Sequence, residues 1–207
     1  MKSRYYAVMI LLCIVTIFSK STTANADDRY VKLCERYFTE FAEDYGKFGQ
    51  KDGFTYLYSD KKNTATIVAI PMEQKKVAVP EKINGKTVTK IELMDVFSCS
   101  SNYYFRDEFY GEHEDNPVPK VEYLSIPKTV KVINIYAGIG LTEGYCGELQ
   151  SYLVHLKKFN VASANKWYRS YKGMLYTKNG KKLLLVPRKY MAKTVKVKKG
   201  TTKIADF

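Results

Sequence analysis

The stretch VEYLSIPKTVKVI (121–133) carries apolar residues at Val121, Leu124, Ile126, Val130 and Ile133, a spacing that follows neither the helical period nor strict alternation. Leu124 and Ile126 share one face of a short strand. Pro127 then removes a backbone donor and ends it, and Val130 and Ile133 return apolar groups to the same side. The pattern recurs. Val77-Ala-Val79-Pro80 is followed by Val88-Thr-Lys-Ile91, and Val195-Lys-Val197-Lys198 by Thr201-Thr-Lys-Ile204. Leu156-Lys-Lys-Phe159-Asn-Val161 matches Val121-Glu-Tyr-Leu124-Ser-Ile126 position for position. One such coil cannot bury its apolar side alone, whereas stacked on its neighbours it builds a continuous core. The reading therefore puts Val79, Ile126, Val161 and Val197 in successive rungs.

Those residues are 47, 35 and 36 positions apart, more than the roughly 20 to 29 of a compact leucine-rich coil, so insertions fill the excess. Residues 98–120 and 138–147, rich in Gly, Pro, polar and aromatic residues, are the visible ones. Two hairpins are expected as well. Phe54 to Tyr58 and Ala65 to Ile70 flank the turn residues 60–63. Gly173 to Tyr176 and Leu183 to Val186 flank Asn179-Gly180, a pair that tolerates a tight turn. Pro71 and Pro187 close them. Ahead of these, Tyr30, Val31, Cys34, Tyr37, Phe38, Phe41, Ala42, Tyr45 and Phe48 recur at steps of three and four. That stripe predicts an amphipathic helix over 27–49, with Asp27 and Asp28 at its start and Gly46 and Gly49 at its end, packed as a lid.

The first 26 residues read as an export signal: Lys2 and Arg4, an apolar run over 7–18, and Ala24-Asn25-Ala26 with cleavage between Ala26 and Asp27. The run is shorter than the roughly 20 residues a bilayer span needs, and no later segment is long and apolar enough, so the mature chain is expected to be secreted or at the cell surface. Its formal charge falls from +13 to +10 with loss of Lys2, Arg4 and Lys20. For an exported protein such a balance favours anionic cell-wall polymers, glycans or acidic surfaces over nucleic acid. Cys34, Cys99 and Cys146 remain, an odd number that argues against a disulfide framework, and a mature chain of this length can bury a core without one.

IPKTVKVI (126–133), VPEKINGKTVTKIELMDVFSCS (79–100) and YRSYKGMLYTKNGKKLLLVP (168–187) together resemble the BspA-like leucine-rich repeats of bacterial surface proteins. Val96-Phe97-Ser-Cys99 matches the A-F-x-x-C that follows I-P-x-x-V-x-x-I in that family, and Cys99 would then be a small core residue. The second unit departs from the pattern, with a Gly-rich insertion before Cys146, and Lys198 stands where proline is usual. The expected fold is α+β and strand-rich: a signal peptide at 1–26, an N-terminal helix as cap at 27–49, and at 50–207 a leucine-rich-repeat solenoid with irregular long repeats and β-hairpin insertions. Its last repeat, at Ile204 to Phe207, reads as incomplete where the family continues.

Catalytic signals are weak. His113, in Gly-Glu-His-Glu-Asp, lacks a closed ligand set, and His155 sits among apolar residues and is expected to pack or lie at a strand edge. Residues 138–144 miss the dinucleotide fingerprint by one position. No metal or cofactor is expected. What remains is surface. The middle residue of each strand triplet points away from the core, so Ala78, Ser125, Asn160 and Lys196, flanked by Tyr123, Lys157 and Lys158, form one candidate ligand face. The aromatic insertion with Tyr103, Tyr104, Phe105, Phe109 and Tyr110 is a second. The resemblance implies a non-catalytic module binding an extracellular protein or glycan. The alternative is a secreted hydrolase or its accessory N-terminal region.

Overall fold

The computed structural model describes residues 47–93, 118–134 and 153–205. In chain order its strands are β1 (Lys47–Lys51), β2 (Phe54–Ser59), β3 (Thr64–Ala69), β4 (Lys76–Ala78), β5 (Lys82–Ile83), β6 (Lys86–Ile91), β7 (Tyr123–Ile126), β8 (Val132–Ile133), β9 (Lys158–Val161), β10 (Tyr168–Tyr171), β11 (Met174–Thr177), β12 (Lys182–Leu185) and β13 (Lys203–Ile204). The described residues contain strands and no helix, which overturns the expected α+β class. The end of the predicted helix is strand β1, while 27–46 and the signal segment lie outside the described residues. Cross-strand pairing explains the difference. Phe48 and Gly49 stand opposite Leu57 and Tyr56, and Asp52 and Gly53, at φ 51° and 79°, close β1 onto β2 by a two-residue turn of the type that suits hairpins. The Tyr56 ring lies so close over Gly49 that any side chain there would strike its hydroxyl.

Both predicted hairpins form. β2 and β3 pair antiparallel, as do β11 and β12, and each second strand ends just before its proline. The coil pattern of 121–133 becomes two parallel ladders. β4, β7 and β9 form one sheet, with Val77 beside Leu124 beside Phe159. The returning segments form the other: β3 pairs β6 and β6 pairs β8, aligning Ile67, Ile91 and Ile133. Between them lies the main core, where Ile67, Val77, Val88, Ile91, Leu124, Ile126, Val130 and Phe159 are all buried. Each such aliphatic contributes about 1.5–3 kcal/mol on burial. Leu175 and Leu185 of the second hairpin join the same cluster.

The rungs at Val79, Ile126 and Val161 follow one another as expected: Ile126 pairs Val161, and the Val79 amide donates to the Ser125 carbonyl at 3.0 Å. The fourth does not. Val195 and Val197 lie in no strand and are 48% and 41% exposed, and Ile204 is 58% exposed. The reason lies at the edge of β9. There the Phe159 amide donates to the Gly173 carbonyl at 2.8 Å and the Val161 amide to Ser170 Oγ at 3.3 Å, so the β10–β11 turn occupies the place a further rung would take. The strand β13 pairs instead with β12. The chain thus repeats a larger unit: a three-strand meander with one parallel addition, β1–β2–β3 with β6 and β10–β11–β12 with β13. In the first copy β8 covers the added strand, and in the second no described strand does.

Candidate ligand-binding face

Alternation along the parallel sheet sends every second side chain outward. Register then assembles these side chains into rows across the strands. Lys76, Tyr123 and Lys158 form one row, and Ala78, Ser125 and Asn160 the next. Lys76, Ala78 and Lys158 are exposed, and Tyr123, Ser125 and Asn160 half-buried. Together with the edge of Val77, all of them but Lys158 line an open depression of about 500 Å³.

One residue earlier, backbone bonds tie the ends of the rungs together. The Glu122 and Tyr123 amides donate to the Lys75 carbonyl at 2.8 and 3.0 Å, and the Lys157 and Lys158 amides to the Glu122 carbonyl at 2.8 and 3.1 Å. The Lys157 ammonium donates to the Glu122 carboxylate at 2.8 Å. That hydrogen bond holds the Glu122 carboxyl below its ordinary value, with the Lys157, Lys75 and His155 charges adding to it, and it raises the Lys157 amine.

Of the residues singled out from sequence, Tyr123, Ser125, Asn160 and Lys158 come together on this face. Lys157 sits at its border and is engaged by Glu122. Lys196 lies elsewhere, exposed in the segment that fails to form a rung. His155 is exposed in a turn ahead of β9, neither packed nor part of a strand. The segment with Tyr103, Tyr104, Phe105, Phe109 and Tyr110 lies outside the described residues, as do Ala26, Asp27, His113, Cys34, Cys99, Cys146 and the 138–147 insertion. Sequence reasoning missed Lys76, although counting back two positions from Ala78 puts it on the outward face. It also missed Trp167, whose half-exposed ring lies 5.6 Å beneath the Lys131 ammonium. Nothing around that indole in the sequence marks it.

The rows contain an aromatic ring, a hydroxyl, an amide and two ammonium groups, with no carboxylate or imidazole among them. Such a set can stack, hydrogen-bond and attract anions.

These features describe a β-protein of stacked parallel coils interrupted by hairpins, with one polar face on its parallel sheet. No known family profile matches the chain, and neither does any curated protein. Among solved structures it is similar to a leucine-rich repeat protein from Eubacterium ventriosum, at 20% identity and a TM-score of 0.37, over 62% of this chain and 25% of that one. It is also similar to the pneumococcal vaccine antigen PcpA, at 16% identity and a TM-score of 0.30, over 77% of this chain and 61% of that one. The chain therefore spans about a quarter of the first protein and under two thirds of the second. Overlaps this slight bear on neither family nor function, and the coil stacking rests on the pairing of β4, β7 and β9 itself.

Proposed function

We propose that the chain is a non-catalytic, exported module of the leucine-rich-repeat kind that recognises a protein or glycan ligand at the cell surface. One observation carries this reading: the inward residues of three rungs are consumed by the core, while their outward neighbours stand in register around an open depression of mixed polar and apolar lining. Repeat sheets present such faces to partners, and a half-buried tyrosine supplies contact area with few rotamers to freeze. The basic balance and an N-terminal segment that reads as an export signal support a setting among anionic surfaces outside the cell.

The test is a glycan and extracellular-matrix array probed with the mature protein from Asp27 onward, repeated with Tyr123→Ala and Asn160→Ala. Binding that falls at least about ten-fold in both variants, a change of roughly 1.4 kcal/mol, is the expected result. Silence on every surface, or binding indifferent to both substitutions, overturns the proposal.

A further inference from the structure

The charge pattern of the face narrows the ligand class, an inference that rests on the reading just given. The outward row Lys76, Tyr123, Lys158 places an aromatic side chain between two lysines on the flanking strands. With parallel strands about 4.8 Å apart, the two lysine backbones stand roughly 10 Å from one another. Neither ammonium has a carboxylate within ion-pair distance among the described residues, whereas nearby lysines do. Lys157 is held by Glu122 at 2.8 Å and Lys120 by Glu73 at 2.6 Å. Among the described residues the acids of this region are thus spent on its border, and the row carries positive charge on both sides of a ring.

We propose that this face binds an acidic sugar chain, with one pyranose ring against Tyr123, anionic groups of its neighbours at Lys76 and Lys158, and hydroxyls at Ser125 and Asn160. Each part of the row has a matching chemical partner. An aromatic face takes the C–H side of a sugar ring, and the hydroxyl and amide of the next row donate to and accept from sugar hydroxyls. Ammonium groups on flexible stems meet carboxylate or sulfate as point charges without a fixed geometry. A neutral glycan would leave both lysines without a counter-charge. A protein ligand would be expected to bury a larger apolar patch than Tyr123 and Ala78 supply in the rows.

Calorimetric titration of the mature protein tests this with three probes: an oligogalacturonate bearing carboxylates, a heparin-derived oligosaccharide bearing sulfates, and a neutral chito-oligosaccharide. The double variant Lys76→Gln/Lys158→Gln is compared with Lys181→Gln/Lys182→Gln, which removes the same charge from an exposed site on the second hairpin. At least one acidic probe should bind more tightly than the neutral one and weaken about ten-fold or more in the first variant, while the second stays within about two-fold. Whichever acidic probe responds identifies the anionic group. Equal weakening in both variants would mean bare net charge and overturns the inference. So does tight binding of the neutral probe that ignores Lys76→Gln/Lys158→Gln but is lost in Tyr123→Ala, a result that leaves the binding function of the face standing. An array silent on every surface removes both.

Discussion

Asn165 is fully buried and uses its side chain completely. Its amide donates to the carbonyls of Pro127 and Val130 at 2.8 and 2.9 Å, and its carbonyl accepts from the amides of Trp167 and Tyr168, each at 2.8 Å. One side chain thereby pins the proline turn of one coil to the start of β10. Asn165→Ala would strand buried backbone groups and should cost about 2–4 kcal/mol, read from the urea unfolding midpoint. Asn165→Asp keeps the acceptor and loses the donor at neutral pH. Its deficit should shrink on acidification, as the carboxyl takes up a proton that can be donated. Asp60 is a simpler titration. Its carboxylate accepts from Lys86 at 2.6 Å and Lys47 at 3.0 Å, and these bonds lower it from its ordinary value of 3.8. A lowered carboxyl stabilises the fold above its ordinary value, and that contribution fades as pH falls through the lowered one. Unfolding midpoints of wild type and Asp60→Asn should therefore differ at pH 7 and converge toward pH 2. Neither role was legible in the sequence, since a polar residue in a loop gives no sign of the carbonyls, amides or ammonium groups it will meet.

Among the elements, alternation and turn chemistry were legible and partnership was not. Phe54 to Tyr58 and Leu183 to Leu185 announced their strands, and Asn179-Gly180 its turn, although only Gly180 takes positive φ, at 71°. The predicted helix gives way at its end to strand β1, because Asp52-Gly53 reverses the chain and sets Phe48 opposite Leu57; the rest of that segment lies outside the described residues. Gly173 ties an element to the binding face. It sits at φ 85°, its carbonyl receives the Phe159 amide, and a Cβ there would lie 2.9 Å from Lys158 Cγ. Gly173→Ala should cost about 1–2 kcal/mol through the left-handed backbone and push Lys158 aside. Thermal unfolding combined with titration of an acidic oligosaccharide would register both effects. Gly180→Ala, at φ 71° but facing only the flexible end of Lys198, should lose comparable stability and leave the face unaltered.

For the molecule as a whole, the φ-x-φ triplets showed which segments could serve as rungs but not which would find a neighbour. Val121 to Ile126 and Leu156 to Val161 are sandwiched, whereas Val195 and Val197, with the same spelling, lie exposed because the β10–β11 turn had already closed β9. Native-state hydrogen exchange checks this difference. Amides of Leu124 and Phe159 should exchange at least about a hundred-fold more slowly than those of residues 195–197, since protection follows local stability. The closed flank of β9 also gives the ligand face an origin. Under the proposal, a polymer lying across the strands would run from the β10–β11 turn that closes β9 to β4, the sheet's other edge, with no described strand beyond it. The position of the proposed ligand would then be set from one side only, as a length is measured from the stop of a rule.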